Sequence, residues 1–243
     1  MFRKACVAGL MGLAFVAAPT SAQAQVDNLI GGTFGGFLLR GEDGRAGDDV
    51  LNERLTYLAF DISDFNGVIF GGEYLVGIGD WVEAGVGVSY YQRTVPSVYL
   101  DFTDADGTEI EQDTKFRNVP VTASVRFFPI GRSTPIQPYV GGGVNFYRWR
   151  FSETGEFLDF SAPFPCGGDT CYPTFRDTFT DDGNAVGPVF LGGVRAPVTP
   201  NFLIGGEFRW QGGKADLDPD VNFATNTLDL GGYVVQATFH VKF

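Results

Sequence analysis

Six charged residues stand alone in stretches that are otherwise apolar or rich in glycine: Glu73, Glu83, Arg126, Arg195, Glu207 and Arg209. Two carboxylates held close repel each other, so one of a pair shifts its proton affinity or takes up a cation. Glu73 and Glu83 flank the short turn "IGD" and are expected near one another, with Arg126 as the natural cation between them. Such a group could act as a gate, a pore constriction or an acid/base pair. Buried charges survive by pairing, so the expected reading is an ion-paired network filling an interior. His240 is the chain's single histidine. A catalytic histidine needs a nucleophile or a carboxylate pair beside it. His240 is expected instead to be an interior hydrogen-bonding residue, and no catalytic residue is expected.

Three other groups could do chemistry. In "DFTDADGTEIEQD" (101–113), Asp104, Asp106 and Glu109 resemble part of a calcium loop, since hard cations take several carboxylate oxygens. The full D-x-[DN]-x-[DN]-G spacing is absent, and an Asp-Gly hairpin tip accounts for the same residues. "DLDPD" (216–220) is a weaker version. Cys166 and Cys171 in "PCGGDTCYP" suit a small-loop disulfide in an exported chain. Zinc would need further Cys or His ligands, so no metal and no cofactor are expected. Phe157, Phe160, Phe164, Phe175 and Phe179 surround the cysteines, either to meet a partner or to pack on one another.

The elements that position these residues follow from alternation. In "GYVVQATFHVKF", Tyr233, Val235, Ala237, Phe239, Val241 and Phe243 share one face, and Gln236, Thr238, His240 and Lys242 share the other, the period of a strand. Val68–Val76, Val82–Tyr90, Val119–Phe127 and Phe202–Trp210 repeat the pattern. "LIGGTFGGFLLRG" (29–41), "PYVGGGVNFYRWRF" (138–151) and "NAVGPVFLGGVRAPV" (184–198) are apolar on both faces and complete a set of eight strands. Short links ("IGD", "PIGRSTPIQ", "TPN") alternate with long ones (about 42–64, 94–115, 151–183 and 213–226). All short turns therefore lie at one end and all long loops at the other.

Composition agrees. The chain has 243 residues, 34 glycines and 15% aromatic residues, and carries a net charge of −12. "MFRKACVAGLMGLAFVAAPTSAQAQ" has a basic start, a short apolar run and an A-x-A site at Ala22–Ala24, so residues 1–24 are expected to be a removable secretory signal and 25–243 one β domain. The signal region holds two bases and no acid, which leaves the remainder still more acidic and disfavours nucleic acid. No later stretch approaches the roughly 20 apolar residues of a spanning helix. A soluble barrel would bury its apolar face inward. Segments of bilayer-crossing length, Glu and Arg together on the polar faces, and aromatics (Tyr90, Phe127, Trp210, Phe243) at the ends of the apolar faces favour the inverse arrangement.

The terminal "ATFHVKF", the strand "PVTASVRFFP" and "PYVGGGVNFY" resemble the eight-stranded outer-membrane β-barrel superfamily, which includes the opacity-, W- and A-type proteins. The resemblance implies an all-β, closed, antiparallel transmembrane barrel with short periplasmic turns and long extracellular loops. It implies the outer membrane of a Gram-negative-type bacterium, lipid around the barrel, and an assembly machinery that reads Phe243. Val241 departs from the aromatic often found third from the end. The function expected is a non-enzymatic, monomeric surface barrel with a charge-plugged lumen, its long loops free to meet an extracellular partner. The alternative is a narrow channel for small apolar or ionic solutes, using a cavity left above the charged layer by the glycine-rich strands.

Overall fold

The structure is a computed structural model that describes residues 26–104, 106–166, 169–218 and 227–243. The expected signal at 1–24 lies outside the described residues, as do residues 219–226. Among the described residues eight long strands form a ring: β1 (Val26–Leu39), β2 (Gly67–Ile78), β3 (Val82–Thr103), β4 (Glu109–Phe127), β5 (Gln137–Leu158), β6 (Thr174–Thr199), β7 (Phe202–Gln211) and β8 (Gly232–Lys242). Each pairs antiparallel with its sequence neighbours. The ring closes where β8 lies on β1, from Leu29 opposite Lys242 to Leu39 opposite Gly232. Within the ring, closure leaves no strand edge unpaired, and in hydrocarbon each unpaired backbone group would cost several kcal/mol.

The alternation resolves into an inside and an outside. On β8, Tyr233, Val235, Phe239 and Val241 are exposed, while Gln236, Thr238 and His240 are buried. Ile30, Phe34, Val68, Phe70, Val86, Val121, Val125, Phe146, Phe190 and Phe208 extend this exposed apolar belt around the ring. The buried set is polar and charged, the arrangement of a lipid-embedded barrel. Glycine serves the tight turns and the crowded interior. Gly79 and Gly131 take φ values of +66° and +83° in the two turns joining β2 to β3 and β4 to β5. Gly31 faces the His240 ring so closely that any Cβ would collide with it.

Two of the expected long loops are largely strand. β3 and β4 continue to Thr103 and from Glu109, and β5 and β6 to Leu158 and from Thr174. The physical reason is a reversal of hydrophobic phase. Along β4 the outward residues Val119, Val121, Val125 and Phe127 are apolar, but further up Phe116 and Ile110 point inward and Arg117, Lys115, Asp113 and Glu111 outward. On β5 Phe146 points outward, then Trp149 and Phe151 inward. The belt is lipid-facing; above it the four strands form a wall with a conventional buried interior and a polar exterior.

The loop after β1 does not stay outside. A five-residue helix, α1 (Val50–Arg54), is capped by the Asp49 side chain, which accepts from the Leu51 backbone N–H. Val50 and Leu51 are fully buried, as is Phe65 of the following 3-10 turn. They pack on Phe37, Tyr91, Phe116, Tyr147, Trp149 and Phe151 of the barrel and on Leu217, Leu228 and Leu230 of the last loop. A cavity expected above the charged layer is occupied by this apolar cluster.

The candidate functional site: a charged lumen

The inward positions gather all six of the charged residues singled out above, from Glu83 and Arg126 beside the short-turn ends of β3 and β4 to Glu73, Glu207 and Arg209 further along their strands. Arg126 is the hub. Its Nη2 lies 2.8 Å from Glu73 Oε2 and 2.9 Å from Glu207 Oε2, and its Nη1 lies 3.4 Å from Glu83 Oε1. Arg195 donates to both oxygens of Glu83, at 3.1 and 2.7 Å. Arg209 donates to Glu207 and, at 3.1 Å, to Glu73. All six side chains are at most 8% exposed. Glu73 and Glu83 are not cross-strand partners: Glu83 faces Gly77, and Glu73 faces Gly87. Arg126 sits directly opposite Glu83 and reaches across to Glu73, so it joins them from the third strand.

Three further residues complete the layer. His240 is fully buried, and its Nε2–H donates to Glu73 Oε1 at 2.7 Å. The Gln236 amide donates to Glu207 Oε1 at 2.9 Å, and the Tyr139 hydroxyl to Glu207 Oε2 at 2.9 Å. The Arg126 guanidinium lies 5.2 Å from the Tyr139 ring centre, and that of Arg195 4.7 Å from Phe128. Three carboxylates face three guanidinium groups, and the Arg132 guanidinium adds a fourth 3.5 Å from Glu83 Oε2, so the layer can stay fully ionised in a low-dielectric interior. Toward the short-turn end it is floored by Leu29, Leu75 and Leu203, and Phe128, Tyr139 and Leu191 pack together beside it. Arg132 and Lys242 both reach Asp27 there, at 3.4 and 2.9 Å.

A second set of buried charges lies at the long-loop end, where sequence reasoning placed none. Arg45 and Asp49 pair at 2.7 Å with both side chains fully buried. Asp49 also accepts from the Asp229 backbone N–H, and Asp229 pairs with Arg40 at 2.8 Å. Arg54 pairs with Glu153 at 2.7 Å. These contacts tie the first loop to the last loop and to the wall. The available signal was Asp49 just before "VLNER", an N-cap position, with Arg45 four residues earlier. Arg54 and Glu153 border a pocket of about 440 Å³ whose walls include Tyr57, Tyr99, Phe157 and Phe160. Burial pushes the Tyr57 hydroxyl well above the usual phenol range.

The remaining candidates do not converge on a metal. Among the described residues no group of three or more His, Cys, Asp or Glu could hold one. Asp106 accepts from both the backbone N–H and the hydroxyl of Thr108. Gly107, at φ +86°, completes the Asp-Gly tip. Cys166 and Cys171 form a disulfide across a small hairpin. The loop aromatics pack on one another, Phe157 with Phe179 at 4.7 Å and Phe160 with Tyr172 at 4.9 Å.

Comparison with known proteins agrees with this architecture. The chain matches the outer membrane protein beta-barrel domain family over residues 8–243. No curated protein sequence is significantly similar to it. Among solved structures, OprG from Pseudomonas aeruginosa is similar with a TM-score of 0.50 at 13% identity, over 90% of this chain and 97% of that one. Neisserial surface protein A gives a TM-score of 0.46 at 15% identity, over 89% and 97%. The E. coli outer membrane protein W gives 0.45 at 14%, over 89% and 97%. With a closed antiparallel ring, an apolar exterior and a family match over nearly its whole length, this chain belongs to the outer membrane β-barrel family, whose setting is the outer membrane of Gram-negative bacteria.

Proposed function

We propose that the protein is a non-enzymatic outer-membrane barrel whose lumen is closed by charge and whose external face carries its interactions. The observation that carries this reading is the packing along the lumen: an apolar floor, the Arg126-centred layer and the α1 cap follow one another. An eight-stranded barrel is just wide enough for side chains to fill it, and here charged pairs take the middle. The external role is supported by the wall of β3–β6 and the aromatic pocket beside Arg54 and Glu153. In this reading Phe243 is the residue read during assembly, residues 1–24 are removed near Ala24, and the barrel is a monomer surrounded by lipid.

Planar-bilayer recording tests the closed lumen. Wild-type protein is expected to give no sustained conductance, and Arg126→Ala or Arg209→Ala to open one. Steady conductance by the wild type, unaltered by either substitution, would support the channel reading instead.

A further inference from the structure

The outward apolar belt ends differently on the two sides of the barrel. On β7, β8 and β1 its upper border is Trp210, Tyr233 and Leu38. On β4 and β5 it is a group of four outward cations, Lys115, Arg117, Arg148 and Arg150. Register places Arg117 directly opposite Arg150, with Gln92 and Asp182 on the flanking strands. Like charges directly opposite one another in a sheet repel. One carboxylate, Asp182, serves Arg148 at 2.6 Å and Arg150 at 3.3 Å. Lys115 and Arg117 have no acidic partner within ion-pair distance among the described residues, and Arg117 Nε is buried without a hydrogen-bond partner. Asp113, the next outward residue on β4, lies on the side away from the belt. Between the cations is a hollow of about 140 Å³, lined by Gln92, Lys115, Arg117, Arg150, Ser152 and Thr180. Its lining offers guanidinium, ammonium, amide and hydroxyl donors and no carboxylate, the donor set that phosphate takes.

We propose that this patch binds the phosphate of an anionic lipid headgroup in the outer leaflet. Its place in the fold selects a lipid over a soluble polyanion. Toward the short-turn end the outward residues pass through Val119 and Asn184 to the row of Val121, Phe146 and Val186, all three exposed and apolar. A ligand with a phosphate and acyl chains satisfies the cations and the belt together. The chain's overall charge of −12 repels a free polyanion, whereas a lipid is delivered to the patch by the membrane itself.

The test uses the whole barrel in nanodiscs of zwitterionic phospholipid containing either bis-phosphorylated lipid A or its dephosphorylated form. Retained lipid is counted by native mass spectrometry after transfer to detergent. Wild-type protein is expected to retain the phosphorylated form at least tenfold over the other, and the R117Q/R150Q variant to lose about tenfold of that retention. These side chains point outward, so the variant is expected to keep its heat-dependent gel shift; should it not, K115Q/R148Q gives the same test. Equal retention by folded variant and wild type, or by the two lipid forms, would overturn the proposal. Displacement of the lipid by a soluble heparin oligosaccharide at comparable concentration would overturn it too, in favour of a glycan site.

Discussion

Replacing Arg126 with Met keeps side-chain bulk and removes the charge that three carboxylates share. Glu83 is hurt least, because Arg195 holds both its oxygens. Glu73 and Glu207 are hurt most. Both lose a contact of 2.8–2.9 Å, and both are left to share Arg209. His240 and Gln236 still donate a hydrogen bond each, to Glu73 and to Glu207. Among the six residues the count passes from three cations against three anions to two against three, at side chains no more than 8% exposed, while Arg132 stays 3.5 Å from Glu83. Breaking a buried pair in this way costs about 3–5 kcal/mol, a large part of the roughly 5–15 kcal/mol that holds a domain folded. Urea unfolding in lipid bilayers, followed by tryptophan fluorescence and by the heat-dependent gel shift, measures the cost. Adding Glu207→Gln restores two against two, so R126M/E207Q is expected to be more stable than R126M by about 1–2 kcal/mol. A loss under about 1 kcal/mol for R126M, or a double variant whose cost is the simple sum of the singles, would refute the shared-hub reasoning.

Other expectations concern the external half. Asp49→Ala removes the Arg45 partner and the α1 cap together. It is expected to expose residues 42–64 to protease while the barrel keeps its gel shift; protease resistance equal to wild type would show that the cap does not depend on Asp49. Because Tyr57 titrates above an unfolded tyrosine's value of about 10, its contribution to holding the cap is complete below that pH and fades as pH rises through its folded value. In ultraviolet titration, wild type and Tyr57→Phe are therefore expected to show the same number of phenolates at pH 10.5, and one fewer in the variant at that pH would contradict the burial. The Cys166–Cys171 bridge spans a short external hairpin. Reduction is expected to add two hydrogens to the mass and leave barrel unfolding unchanged; free thiols before reduction would remove the bridge from the description.

The barrel is legible in the sequence wherever lipid meets it, because hydrocarbon imposes an apolar residue at every second position of β2, β7 and β8 while the lumen imposes the opposite. Glu73, Glu83, Arg126, Arg195, Glu207 and Arg209 could be grouped for the same reason: each interrupts a Gly-rich or apolar run on the inward parity. The wall above the membrane was not legible. At Val119/Arg117 on β4 and Phe146/Trp149 on β5 the apolar phase moves from outside to inside, and a window spanning the switch averages to no period. The α1 plug was hidden differently. Five residues make less than two helical turns, too few for a stripe, and its buried partners Asp229 and Glu153 lie in loops and strands far along the chain. The same phase switch locates the Arg117–Arg150 patch, which no motif marks.

Alternate cysteine spin labels along β8, placed at positions 234–240 in a C166S/C171S background and read by power saturation in lipid bilayers, test the inside–outside assignment most directly. Labels at Val235, Ala237 and Phe239 are expected to be relaxed by oxygen dissolved in the hydrocarbon, and labels at Gln236, Thr238 and His240 to be shielded from both oxygen and a water-soluble nickel chelate. The opposite phase, or ready access of the nickel chelate to Gln236 and Thr238, would contradict a filled lumen inside a lipid-facing barrel.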